Sequence, residues 1–154
     1  MYILSTSNSV GRLFGATALT LLPFITMSQS TDLLHPHQWK QRVLLLFTSD
    51  ASNSLYQQQL DEYQQQEAGL KERDLVMYKI LNDKVIAPSG REYDRSVAQA
   101  LRNQYQVEKP GLTVVLIGKD GGEKLTEPGR LRTDELFATI DGMPMRQREM
   151  RRQN

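Results

Sequence analysis

Thr48, Ser49 and Asp50 follow directly on the apolar run Arg42-Val-Leu-Leu-Leu-Phe47. A run so uniformly apolar suits a central strand buried on both faces. Open α/β sheets hold their ligands at the carboxyl ends of such strands. Two hydroxyls and a carboxylate placed there could do chemistry, provided that something activates a hydroxyl. Both histidines, His35 and His37, precede the strand, and no Gly-x-Ser-x-Gly elbow is present. Thr48-Ser-Asp-Ala-Ser-Asn53 is also a run of turn and N-cap residues, and that structural role is the favoured one.

The remaining candidates also carry simple structural readings. His35-Pro-His37, with Asp32 nearby, offers two imidazoles to a metal, but a metal site needs three or four ligands on rigid elements. No metal is expected there. Trp39 is expected to anchor the core and cover the sheet edge, with its indole N–H seeking an acceptor. Asp61 and Glu62 belong to a polar helix face and lack catalytic spacing. Lys119-Asp-Gly-Gly122 is a hairpin turn without the context of a phosphate loop. Met143-Pro-Met-Arg-Gln-Arg-Glu-Met-Arg-Arg152 divides two ways. Either Met143 and Met145 plug the core while a basic tail frays in solvent, or Met145, Arg146, Arg148, Arg151 and Arg152 form an interaction surface, since methionines recur on adaptable binding surfaces.

The elements that would position these residues follow from periodicity and punctuation. Tyr56, Leu60 and Tyr63 fall on one face of a helix running from Ser54 to about Ala68, with the glutamines mostly opposite. Leu75 to Leu81 reads as a second buried strand, and Asn82 to Glu92 as a loop. Asp94 caps a helix carrying Val97, Leu101 and Tyr105. Leu112 to Ile117 is a strand closed by the Asp120-Gly121 turn, a strong hairpin signal. Thr133 caps a last helix ending at Gly142, with Pro144 blocking its continuation. The order is β-α-β-α-β-β-α. The first three strands, joined by helices, are expected to be parallel, with a fourth antiparallel to the third.

The chain has 154 residues, one domain's length, and contains no cysteine. Disulfides, cysteine-ligated zinc, iron–sulfur clusters, thiol peroxidase chemistry and a lipoprotein anchor are therefore excluded. Arg12 precedes the uncharged run Leu13–Ile25, and small polar residues follow to Thr31. That pattern predicts a signal peptide over residues 1–30, too short in its apolar part to span a membrane; the alternative is a disordered leader or a buried first helix. Arg12 is the leader's only charge, so 18 positive residues face 18 negative ones in the remainder. No global field draws nucleic acid or anionic lipid to a neutral chain. Beyond the leader, residues 31–142 make the folded domain and 143–154 the basic Met-Pro-Met-Arg segment.

Thr113-Val-Val-Leu-Ile-Gly-Lys-Asp-Gly121 resembles the segment of thioredoxins and peroxiredoxins that forms one wall of their active site. Thr113 stands where thioredoxins have proline; peroxiredoxins lack that proline too, so the resemblance leans toward them. Thr48 to Ala51 occupies the place of their reactive cysteine. A more specific resemblance rests on three blocks: Trp39–Phe47, Leu116–Gly121 and Ile140–Met150. They are similar to signature blocks of an uncharacterised bacterial domain-of-unknown-function family, related to the P-DUDES thioredoxin-like domain of sushi-repeat-containing and coiled-coil-domain-containing extracellular proteins. The resemblance implies a thioredoxin-like, four-stranded mixed sheet flanked by helices, in a periplasmic or secreted protein. It implies no reaction and no cofactor. The resulting expectation is a non-catalytic module that binds an unidentified protein partner. The alternative is an enzyme using Thr48, Ser49, Asp50 and Thr113 without a thiol, or a degenerate relative of a peroxiredoxin-like oxidoreductase.

Overall fold

A computed structural model describes residues 33–108 and 110–153. The expected leader, residues 1–30, lies outside the described residues. After a 3-10 turn at His35–His37 come β1 (Arg42–Phe47), α1 (Ser54–Gln65), α2 (Glu67–Glu72) and β2 (Leu75–Ile80). They are followed by β3 (Val85–Ile86), β4 (Glu92–Tyr93), α3 (Arg95–Gln104), β5 (Thr113–Ile117), β6 (Glu123–Pro128), α4 (Thr133–Asp141) and α5 (Pro144–Gln153). The described strands form one mixed sheet in the order β4-β3-β2-β1-β5-β6.

All six residues of β1 are buried, as its uniform apolarity predicts. Val43, Leu45 and Phe47 point to one face, where α3 brings Val97 and Leu101. Leu44 and Leu46 point to the other, against Tyr56, Tyr63, Leu70, Leu136 and Ile140 from α1, α2 and α4. The mixed α/β class agrees with the sequence; the strand count and one direction do not. Six strands replace the expected four, because β3 and β4 pair across the Pro88-Ser-Gly90 turn within the segment read as loop. The third long strand, β5, is antiparallel to β1, with Phe47 opposite Thr113 and Val43 opposite Ile117. Among the described strands, only β1 and β2 pair in parallel.

The C-terminal segment is also corrected. α4 does end at Gly142, but Pro144 then begins α5 where one reading had a fraying tail, and proline suits a first helical turn because its missing N–H would be unpaired there. Gly142 caps α4 without entering the left-handed region. Thr133 is the first residue of α4, not its cap; its backbone N–H donates to Glu62 Oε1 at 2.7 Å, so a carboxylate from α1 satisfies that end. Trp39, expected in the core, is 65% exposed. Its φ of 65° is held by its backbone N–H donating to the Lys119 carbonyl, which leaves the indole pointing outward. Leu33 and Leu34 pack against the core in its stead, and His37 bonds Tyr78 Oη at 2.7 Å.

Candidate functional site

The two ends of β1 carry the polar side chains of interest. At its carboxyl end, Thr48 is fully buried and its hydroxyl donates to the Asp50 carbonyl at 2.9 Å. Asp50 accepts from the Ser52 hydroxyl and backbone N–H, both at 2.8 Å. Those bonds hold its carboxyl below the usual aspartate range, with the hydroxyl contributing most. Asn53 closes the turn by accepting from the N–H groups of Leu55 and Tyr56, the N-cap anticipated from sequence. Thr113 lies across the sheet from Phe47 and is buried. The structure thus brings Thr48, Asp50 and Thr113 to one end of the sheet, with Ser49 and Asp50 exposed. Arg102 underpins this end by donating Nη2 to the carbonyls of Thr48 and Ile80, at 2.7 and 3.3 Å. Burial pushes its pKa down, and no carboxylate pairs with it among the described residues.

The amino end of β1 is built differently. Arg42, 1% exposed, grips Glu149 of α5 with both terminal nitrogens, at 3.1 and 3.2 Å. Lys119, from the β5–β6 turn, sits between Glu149 and Asp74 at 2.8 and 2.7 Å. Arg146, also 1% exposed, reaches Asp141 at 3.1 Å, Glu72 Oε1 at 2.5 Å and the Glu72 carbonyl at 3.0 Å. Arg73 completes the cluster on Asp141 at 2.6 Å and stacks over the Phe137 ring. Four cations therefore meet four carboxylates under α5. Arg146, expected on an outward surface, is among the most buried side chains in the protein. Its partners lie on α2 and α4, so their proximity could not be read from the basic tail alone. Arg148, Arg151 and Arg152 are exposed, whereas Met145 is half-buried.

A family described as Domain of unknown function (DUF4174) matches residues 33–149. The chain belongs to that family. No curated protein matches it, and no solved structure does. The charge cluster draws on all three of the sequence blocks singled out above. Arg42 comes from the first, Lys119 from the second, and Arg146 and Glu149 from the third, and they meet in one cluster. Burial raises the pKa of Glu149, but hydrogen bonds from Lys119 and Arg42 outweigh it and hold the carboxyl below the usual range. Asp141 shows the same balance, with burial opposed by Arg73 and Arg146.

Sequence reasoning missed most of this cluster. One signal was present: Arg42 opens a strand otherwise wholly apolar, and a buried charge must be paired. Glu149 is the single acid among the last arginines. The histidines do not meet at a metal site. His37 is held between Gln41 and Tyr78, each at 2.7 Å. No group of three or more potential metal ligands occurs among the described residues. No helix among them is long and apolar enough to cross a membrane.

Proposed function

We propose that this DUF4174 domain is a thioredoxin-type scaffold that works as a non-catalytic binding module outside the cytoplasm. The observation that carries the reading is the state of the Thr48–Asn53 turn. Four of its polar side chains are engaged within the turn or as a helix cap, Thr48 on Asp50, Asp50 with Ser52 and Asn53 on the first turn of α1, and Ser49 is exposed with no base bonded to it among the described residues. No thiol, histidine or free base stands where thioredoxin-type enzymes keep their nucleophile, and Asp50 stays ionised and occupied. The thioredoxin-type assignment is supported by element order. With the β3–β4 pair taken as an insert after β2, the chain keeps the order β-α-β-α-β-β-α, around a central β2-β1-β5-β6 sheet with helices on both faces. Relationship to the P-DUDES group, and through it an extracellular setting, fits that order and the signal-like residues 1–30.

Two measurements test the reading. The purified protein should reduce neither insulin disulfides nor peroxide in the presence of thiol donors, because thiolate is the required nucleophile. Turnover above a heat-killed control would overturn the non-catalytic assignment. Fractionation of cells expressing the full chain, followed by N-terminal sequencing, should find the protein exported and starting near residue 31. Recovery from the cytoplasm with Met1 intact would overturn the export assignment.

A further inference from the structure

A cavity of about 320 Å³ opens between the β5–β6 turn and the first turn of α5. Its size lies at the small end of ligand pockets, which run from roughly 300 to 1,000 Å³. One wall is apolar and adaptable: Met143, Pro144 and Met145. The rest of the lining is largely charged. Lys119 is only 8% exposed, and its ammonium bonds Asp74 and Glu149, leaving a third N–H. Lys124 is paired with Asp120 at 2.6 Å. Arg42 also lines the cavity, its charge taken up by Glu149. Arg148 lines the mouth, exposed and without an ion pair among the described residues.

Charge balance narrows what can enter. Arg42, Lys119, Lys124 and Arg148 contribute four positive charges to the cavity, and Asp120, Asp74 and Glu149 answer with three negative ones. The excess is one positive charge, carried at the mouth by Arg148. The opening turn of α5 adds the positive end of its dipole to the same space. A dianion would leave a negative charge over, and a neutral apolar molecule would desolvate Lys119 with nothing in return. A monoanion carried on an apolar body satisfies both parts of the lining.

We propose that this cavity binds a small amphipathic carboxylate, its head between Lys119 and Arg148 and its chain along Met143 and Met145. The proposal rests on reading the domain as a binding module, but it concerns the opposite end of β1 from the Thr48 turn. The shared chemistry could come from a free medium-chain fatty acid or from the free C-terminus of an apolar peptide.

The full chain, labelled with 13C at its methionine methyls, should be titrated with octanoate, octanamide, acetate and a short peptide ending in leucine. Octanoate is expected to move the Met143 and Met145 resonances while leaving Met77 of β2 in place. Octanamide and acetate should each bind about tenfold more weakly or less, since one lacks the charge and the other the chain. Arg148→Glu, an exposed and unpaired position, should weaken octanoate about tenfold with an unchanged melting temperature, by reversing one charge at the cavity mouth. A peptide stronger than octanoate would assign the carboxylate to a polypeptide end; the reverse order would assign it to a free acid. Equal binding of octanoate and octanamide, an unaffected Arg148→Glu protein, or no shift at Met143 and Met145 would overturn the proposal. None of those results bears on export or thiol chemistry, so the module reading fails or survives by its own tests.

Discussion

The two ends of β1 solve one problem, buried polar backbone at the end of a central strand, in different ways. At the carboxyl end, a single arginine, Arg102, donates to the carbonyls of Thr48 and Ile80, the latter also accepting from the Thr48 backbone N–H, and the neighbouring turn closes on itself through short-range bonds. At the amino end, arginines again donate to carbonyls: Arg42 to Arg73 and Arg146 to Glu72. There, however, the cations are matched by carboxylates from α2, α4 and α5 and from the Asp74 turn that leads into β2. A local turn can be altered residue by residue, because each bond involves its near neighbours in sequence. The charge cluster couples β1, α2, α4 and α5 with the Asp74 and Lys119 turns, so removing one member strands several others.

The largest effect is expected from Arg146→Ala. Breaking a buried ion pair costs roughly 3–5 kcal/mol, because the partner charge stays behind without compensation. Glu72 is 56% exposed and can be rehydrated, so the loss should fall near the bottom of that range, at about 3 kcal/mol. Urea denaturation of the full chain measures it. A loss below about 1 kcal/mol, the worth of a surface pair, would show that water already screens the cluster.

Acid should dismantle the same end first. Asp141 and Glu149 have pKa values lowered from 3.8 and 4.5 in the folded protein. Their contribution is fully present above those values and is lost as pH falls through the lower, folded ones. Circular-dichroism melts from neutral pH downward should therefore show stability dropping below about pH 4. The drop should be smaller in Glu149→Gln, which has already forfeited one of the two contributions. An equal drop in both proteins would place the acid-sensitive groups elsewhere.

At the other end, Arg102→Ala should cost about 2 kcal/mol, within the range for hydrogen bonds from a charged donor. Phe47, whose ring lies 5.6 Å beneath the guanidinium, loses cover as well. Asn53→Ala comes next, at about 1 kcal/mol for a lost N-cap. A cost from Asn53→Ala as large as that from Arg146→Ala would erase the distinction between the local and the coupled end.

What could be read from sequence follows the same division. β1, β2 and the β5–β6 hairpin were legible because each depends on a contiguous apolar run and its own turn residues. The caps at Asn53 and Asp94 were legible for the same reason, as each bonds N–H groups two or three positions on. β3 and β4 were not, since two residues apiece are too few to show a period. The direction of β5 was misjudged because a helical connection favours, but does not dictate, a parallel return. Gln59, counted with the solvated glutamines, is buried and bonds both the N–H and the carbonyl of Leu131. Arg146 failed most instructively. Asp141 and Glu149 lie close to it in sequence, but Glu72 lies 74 positions away, and nothing local announces that partner.

The smallest effect sharpens this last point. Arg148, Arg151 and Arg152 share a helix with Arg146, yet all three are exposed and none forms an ion pair among the described residues. Replacing the three together with Ala should change stability little, since surface substitutions away from special features stay within about 0.5 kcal/mol each. Alanine also has the higher helix propensity, which offsets part of any loss. The helix would then carry Arg146 alone, still clamped by Asp141 and Glu72. Comparing this triple variant with Arg146→Ala in one urea series separates position from composition, because the change that removes three positive charges should matter less than the change that removes one. If the triple variant proves the less stable, the long-range field of the tail holds α5 down rather than the pairs beneath it, and added salt should then lower the wild-type melting temperature as well.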